Sequence, residues 1–541
     1  MDVSDFNWGS SIKNRPRAEL PKSNSIIEAF FLICQKFKHH DACIDELSGL
    51  WSYTKLKRFV IAISLVIKEN KSNRIGILLP SSIFSMAVVL ATLLANKIPV
   101  MINWSLGSRE LQFVKEDANC KEIITSKSFI EKISYKIPKD MNLNVSYLED
   151  IKLKFSLFKK FKVFVYSLFS TKLLLGFFGL KKINLEDIAV ILFTSGTENR
   201  PKVVPLSHKN ILSNQRGCLD FLQLEADNDI MLGYLPPFHT FGFTITSLLP
   251  LLTGFRVVYA ANPLDGKKIV NFIHKYKITL LCTTPTLSYY LVHGAEDSKQ
   301  LDSLRFVIFG GEAALSSHYL HMQSVATKAS IIQGYGVTEC SPVITISSPR
   351  DPQAIGVGKP ILDTKLLIVH HETFEILPTG SVGLILVRGP GVFSGYLNSN
   401  IDPFYFYNGQ PWYITGDLGK INEKGILILS GRLKRFVKIG GEMISLMAVE
   451  SILTSYFHRN EIENSSTFVV CGLEGQNRKT QLCLFSTLPI SLKEVNLALR
   501  ESGLNNLVKI SFLHCLDTIP LLGSGKPAYA DLMKLAKKLF G

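Results

Sequence analysis

"FTSGTENRPKVV", residues 193–204, is the stretch on which the reading of this chain turns. The apolar run AVILF delivers Thr194, Ser195, Gly196 and Thr197 in succession. Small hydroxyl residues around a glycine let backbone N–H and side-chain O–H groups converge on phosphate oxygens. Lys202 adds a mobile positive charge. A Walker A loop ends in Gly-Lys-Ser/Thr, whereas Lys202 follows Pro201 and precedes two valines, so that motif is absent. The same residues also suit an ordinary Ser/Thr/Gly turn after a strand, and the stretch alone does not separate the two.

Outward from it, short apolar runs alternate with helical segments. "RIGILLP" (74–80), "RVVYAA" (256–261), "ITLLCTTP" (278–285), "LRFVIFGG" (304–311) and "ASIIQGYG" (329–336) resemble AVILF in ending on small or breaking residues. That alternation predicts an α/β fold with largely parallel sheets. After about residue 340, "TKLLIVH", "GLILVRG" and "GILILSGR" predict a small antiparallel β unit, about 340–431. From Glu450 onward a compact α+β segment is expected, with helices over 447–457 and 492–502. The domain boundary is placed near Gly431–Lys434, giving a large domain 1–431 and a small mobile one 432–541. A chain of 541 residues is too long for one core, which agrees.

Lys and Arg total 60 against 45 acidic residues, a net charge of +15. Such a surface attracts acidic proteins, anionic lipid or nucleic acid. No zinc-finger spacing or arginine-rich tract supports a nucleic-acid partner. Nine cysteines without CxxC spacing read as reduced, mostly buried thiols. The first twenty residues hold no apolar h-region, so no secretory signal is expected and a cytoplasmic location follows. His40 and Asp45 have the HxxxxD spacing of glycerophospholipid acyltransferases, but their surroundings read as strand, turn, strand and helix, so that activity is not expected.

The run 155–182, "FSLFKKFKVFVYSLFSTKLLLGFFGLKK", bears on membranes. Its apolar part, Val163–Leu180, would reach about 27 Å as a helix, the lower edge for a span, and Lys172 interrupts it. An interfacial helix is expected, with Phe164, Phe169, Leu173 and Phe177 on the lipid side, lysines at anionic headgroups and fatty acid entering from the bilayer. The competing reading is a buried core helix with snorkelling lysines.

Four further motifs follow the opening one. "GYGVTE" (334–339) puts Glu339 at the C-terminal edge of a strand, where open α/β sheets bind ligands and a carboxylate can share Mg²⁺ with phosphates. "YITGDLG" (413–419) reads as a tight turn carrying Asp417, whose carboxylate suits ribose hydroxyls. "GRLKRFVKIGGEMIS" (431–445) and "GSGKPAYADL" (523–532), with Lys526, complete the set.

In this order the motifs resemble the adenylate-forming superfamily over nearly the whole chain, and in detail the bacterial acyl–acyl carrier protein synthetases. Asn199 and Val203 stand where that family usually has glycines. The resemblance implies ATP and Mg²⁺ as requirements, and a fatty acid with acyl carrier protein, or coenzyme A, as partners. By the same resemblance, Thr194, Ser195, Gly196, Thr197 and Lys202 hold phosphates. Glu339 holds the metal, and Thr338 sits near the α-phosphate. Gly311, Glu312 and Tyr335 line the adenine slot, and Asp417 and Arg432 hold the ribose. Phe238, His239 and Phe241 belong to the acyl pocket. Lys526 bridges carboxylate and α-phosphate, Lys434 is the hinge, and Lys438, Gly440 and Gly441 serve the pantetheine side. Two rival readings remain: a long-chain fatty acid–CoA ligase, and a non-catalytic lipid-surface scaffold, against which the intact Lys202, Glu339, Asp417 and Lys526 argue.

Overall fold

The computed structural model describes residues 18–540 except 107, 134–136, 138–141, 154–155, 195–200, 223, 227, 349–355, 398, 400, 440–441, 458–466, 475–479, 503–507 and 521–526. The apolar runs pair into two large sheets. In the first, strands Asp41–Asp45, Arg256–Tyr259, Ile230–Gly233, Leu280–Thr283, Phe306–Phe309 and Ser330–Gly336 lie parallel as successive neighbours. Antiparallel Gly49–Ser52 closes one edge, and Val343–Ile346 with Lys359–Pro360 the other. The second sheet runs Asn144–Tyr147, Glu122–Thr125, Arg74–Ile77, Ile98–Met101, Ile188–Thr194, Lys202–Ser207, with only the last pair antiparallel. Parallel strands covered on both faces need apolar side chains at consecutive positions, hence the unbroken runs in the sequence. Helix Ile83–Leu94 is buried along its whole length and leads into strand Ile98–Met101.

An antiparallel sheet follows, in which Gln410–Ile421 is flanked by Gly383–Arg388, Phe404–Tyr407 and Leu427–Arg432. Beyond it come the hairpin Phe436–Ile439/Glu442–Ser445, a sheet of Phe468–Glu474, Thr480–Ser486 and Ile510–Cys515, and helices Leu446–Phe457, Leu492–Glu501 and Tyr529–Phe540. These elements have apolar clusters of their own, one around Val449, Leu453 and Leu482 and another around Val469, Phe485 and Leu532. The expected α/β fold, with a small β unit and an α+β C-terminal part, is the architecture observed. All nine cysteines are free thiols, and only Cys515 is exposed.

The HxxxxD pair has structural partners. His40 Nδ1 lies 2.7 Å from the Phe37 carbonyl. Asp45 accepts from the Ser48 N–H and hydroxyl at 2.6 and 2.7 Å and, through its other oxygen, from the Ile83 N–H at 3.1 Å. It therefore closes a turn and starts a buried helix.

The run 155–182 differs from the single helix expected. It forms two, Leu157–Ser167 and Thr171–Phe178. Ser170 divides them: its backbone is extended, and its side chain accepts from the Leu173 N–H to cap the second helix. Gly179, at φ 84°, ends that helix in the left-handed region. With the axis broken there, Phe164, Phe169, Leu173 and Phe177 do not share one face. Phe169 is half-buried, 5.3 Å from the Tyr166 ring, whereas the other three are exposed. Val163, Tyr166, Leu174, Leu175 and Phe178 are buried in the main core. The core reading therefore holds for the inner side, and the outer side is exposed. Among the described residues no helix is long and apolar enough to cross a membrane.

Helix His208–Leu222 begins on buried His208, whose Nδ1 accepts the Ile26 N–H at 3.2 Å. Burial, opposed by the nearby Asp187 charge, lowers the imidazole pKa to about 4. Between its ordinary value of 6.5 and about 4, the unfolded chain binds this proton and the folded chain does not. Stability is therefore lost as the pH falls through that window, by up to roughly 3 kcal/mol. Melting temperature should drop more steeply from pH 6.5 to 4 in wild type than in His208→Gln, whose amide oxygen accepts the same N–H without titrating. Parallel profiles would show that His208 does not set the dependence.

Candidate active site

Thr194 and Lys202 face each other across the antiparallel pair Ile188–Thr194/Lys202–Ser207, the strands on either side of the opening stretch. Ser195, Gly196 and Thr197 lie outside the described residues. Val203 is buried with Val100, Ile102 and Ile191, which accounts for a valine at that position. Its carbonyl accepts the Leu397 N–H at 3.0 Å. That bridge places Tyr396 under Lys202, whose Nζ is 4.6 Å from the ring centroid.

Tyr396 leads to Glu339. Strand Ser330–Gly336 turns into one 3₁₀ turn, Thr338–Cys340, at a point where a Cβ on Gly336 would meet the Pro342 carbonyl at 2.0 Å. Buried Glu339 accepts from the Tyr396 hydroxyl at 2.7 Å, and the Tyr413 hydroxyl lies 3.4 Å from that of Tyr396. Burial first, then the Glu339 charge, pushes both phenols far above their ordinary range, so at neutral pH they remain donors. Thr338 directly precedes Glu339, and its carbonyl accepts from the Ser341 N–H. No group of three or more His, Cys, Asp or Glu side chains suited to a metal exists among the described residues. This donor set fits magnesium arriving with a nucleotide, one carboxylate supplementing phosphate and water oxygens, and not an all-protein cage.

Asp417 corrects the sequence reading. It sits in the twelve-residue strand Gln410–Ile421 and not in a tight turn. The turn signal came from Gly416, whose φ of 73° kinks the strand without ending it. Asp417 is paired in register with Arg432 on the adjacent strand. Its Oδ2 accepts from the Tyr335 hydroxyl at 2.6 Å, and Arg432 Nε lies 3.3 Å from Oδ1. Three residues far apart in sequence thus converge. Beyond them, Gly311 has φ 79° and Glu312 accepts from the Thr286 N–H and hydroxyl at 3.2 and 2.7 Å. The second Glu312 oxygen is buried with no hydrogen-bond partner among the described residues.

A cavity enclosing about 690 Å³, with open solvent at its mouth included, ends at this edge. Cys218 and Leu222 of helix His208–Leu222, Met231, and Phe241 and Ile245 line its apolar part, which runs up to Gly311 and Tyr335. Phe241–Leu248 is a π-helix, a rare form that recurs at functional sites. Its Phe241 ring rests on Gly310, where a Cβ would come within 3.0 Å. Of the three expected acyl-pocket residues, only Phe241 borders the cavity. Phe238 is buried edge-on against Trp104 at 4.4 Å, and the His239 ring is 4.5 Å from Phe238. Cys218, Leu222, Met231 and Ile245 escaped the sequence reading because apolar residues of a pocket wall look like any core-facing residue.

Lys434 is exposed in the single turn Leu433–Arg435. On its N-terminal side Arg432 joins Asp417. On its C-terminal side Arg435 is buried, ion-paired with Glu450, donating to the Val470 carbonyl at 2.8 Å and lying 4.1 Å over the Tyr529 ring. Lys438 lies on strand Phe436–Ile439; its side chain, Gly440, Gly441 and Lys526 are outside the described residues. Tyr529, three residues after Lys526, opens the last helix. Burial, then the Glu450 carboxylate, and more weakly Glu312, push its phenol up to about 12 against the pull of Arg435.

Residues 30–397 match the family described as AMP-binding enzyme. The long-chain-fatty-acid–CoA ligase of Bacillus subtilis (strain 168) is 28% identical over 481 residues, covering 84% of this chain and 81% of that protein. ATP-bound MatB from Rhodopseudomonas palustris superposes with a TM-score of 0.80 at 22% identity, over 95% of this chain and 100% of its own. MenE from Bacillus subtilis, an O-succinylbenzoate coenzyme A synthetase in complex with ATP and magnesium ion, gives 0.76 at 22%, over 94% and 99%. At such identities these two structures establish the fold alone, whereas the match over 30–397 spans more than half the chain and sets its membership: this chain belongs to the AMP-binding enzyme family.

Proposed function

We propose that this chain is an acid–thiol ligase. It activates a medium- or long-chain fatty acid with ATP and passes the acyl group to the phosphopantetheine thiol of acyl carrier protein, at the inner face of the cytoplasmic membrane. The observation that carries this reading is an apolar cavity that reaches Tyr335, whose hydroxyl donates to Asp417 beside Arg432. An alkyl chain suits the cavity, and a ribose suits the Asp417 carboxylate that Tyr335 donates to.

In the first half-reaction a fatty carboxylate oxygen attacks the α-phosphorus of ATP, and the bond to the bridging oxygen of pyrophosphate breaks. A carboxylate and a triphosphate repel, so cations must offset the charge gathering at the α-phosphate. Lys202, with the hydroxyl and amide groups of Thr194, Ser195, Gly196 and Thr197, is assigned to the β- and γ-phosphates. Mg²⁺, bound with ATP, would screen phosphate charge. Glu339 would hold it, oriented by Tyr396, with Thr338 beside the α-phosphate. Gly311, Glu312 and Tyr335 would border adenine, and Lys526 would bridge the two reacting groups.

In the second half-reaction the pantetheine thiolate attacks the acyl carbonyl and AMP leaves. The part of the chain beyond Lys434 would turn at that residue, withdrawing Lys526 and presenting Lys438, Gly440 and Gly441. Rotation about a few residues is an established switching mode. The net charge of +15 suits an acidic carrier protein.

Likeness to the Bacillus fatty acid–CoA ligase supports a second reading, in which free coenzyme A is the acceptor. One assay separates them: purified chain with ATP, Mg²⁺ and palmitate, offered acyl carrier protein or coenzyme A in parallel. Faster thioester formation on the carrier protein is expected. Faster acyl-CoA formation would establish the second reading, and absence of fatty acid-dependent pyrophosphate release would sink both.

A further inference from the structure

We infer that helices Leu157–Ser167 and Thr171–Phe178 form a docking surface for an anionic lipid bilayer. The inference deepens the membrane location given above and rests on it, but on none of the chemistry. Leu157, Phe161, Phe164 and Leu168 are exposed at spacings of four, three and four, one face of the first helix. Phe158 flanks them, and Phe158, Phe161 and Leu168 are 75%, 64% and 69% accessible. Exposed Leu173 and Phe177 stand one turn apart on the second helix. The Phe177 ring lies 4.4 Å from Tyr166, which joins the two stripes. Soluble proteins rarely expose so many large apolar side chains together unless something covers them.

The inner side of these helices is already used. Val163, Tyr166, Leu174 and Phe178 are buried in the core, so the outer residues are not a core face left open. Six lysines and no carboxylate occur between 155 and 182. Arg58 lies 5.2 Å from the Phe164 ring, and Lys68 lies 5.5 Å from Phe177 and 5.0 Å from Phe178. Glu69, 3.6 Å from Lys159, is the carboxylate paired within this cationic rim.

Charge complementarity selects the occupant. A second copy would bring two cationic surfaces together, which is repulsive. An acidic protein would satisfy the lysines but has no need of splayed phenylalanines. An anionic leaflet satisfies both, with rings in the acyl boundary and ammonium groups among the headgroups. No residue of either helix lines the cavity, so the surface holds the protein at the bilayer and does not form a wall of the pocket.

The test uses the full chain and vesicles, with no nucleotide, so failure of the ligase assignment leaves it intact. Wild type should co-sediment with vesicles of mixed phosphatidylglycerol and phosphatidylcholine and far less with pure phosphatidylcholine. Phe158→Ser/Phe161→Ser/Leu168→Ser should lower that partition by roughly tenfold or more, while keeping melting temperature. If the triple variant melts early, Lys160→Gln/Lys172→Gln/Lys182→Gln decides: all three lysines are exposed, and lost preference for anionic vesicles supports docking. The inference is overturned if wild type binds neither vesicle, if both variants bind as wild type does, or if the chain elutes as a dimer that the triple variant splits without any vesicle binding.

Discussion

Lys526→Ala is expected to lose acyl-adenylate formation by about a thousandfold while forming thioester from supplied acyl-adenylate at near wild-type rate. A single cation placed where charge develops in a transition state is worth about two to three orders of magnitude. Lys526 is the one lysine of the glycine-rich sequence "GSGKP". Three residues later, Tyr529 opens the last helix of the small C-terminal part. The split between half-reactions is the informative part. Fatty acid-dependent pyrophosphate exchange reads the first step, and thioester yield from synthetic acyl-adenylate reads the second. A lysine that merely supports folding would lower both together, and that result would end the assignment.

Glu339→Gln is expected to lower adenylation about a hundredfold at ordinary magnesium and to raise the half-saturating Mg²⁺ concentration sharply. The amide keeps the volume and can still accept from the Tyr396 hydroxyl, so packing around the buried side chain survives. What disappears is the negative charge that the metal sees. Tyr396→Phe provides the contrast: the charge stays but loses its 2.7 Å donor, and a shift of a few-fold in the same titration is expected. Pyrophosphate release measured across magnesium concentrations reads both variants. A Glu339→Gln curve that overlies wild type would remove Glu339 from the metal.

The parallel strands were legible because burial on both faces leaves consecutive apolar residues, as in Phe306–Phe309 and Leu280–Thr283. Glu339 was legible because a short motif fixes its place at a strand end. Asp417 was half legible: its carboxylate stood out, but Gly416 looked like a turn, since local letters do not reveal that a strand continues past a kink. The two helices within 155–182 were hidden by hydropathy, which swamps the quiet capping signal of Ser170. The cavity wall was illegible for a deeper reason. Met231 and Ile245 face empty space only because of what the rest of the fold leaves unfilled, and no window of sequence carries that information.

Between the Arg432–Asp417 contact and the buried Arg435–Glu450 pair stand two residues, Leu433 and Lys434. In the proposed swing this makes an extremely short tether. Two residues extend at most about 7 Å, so the trailing lobe cannot drift off between half-reactions. Its effective concentration at the site stays high in either orientation, and a search through solution is replaced by a change in a few torsions. The reactive mixed anhydride would then wait for a rotation and the arriving thiol, and not for the return of a detached lobe, which shortens the interval in which water could take it.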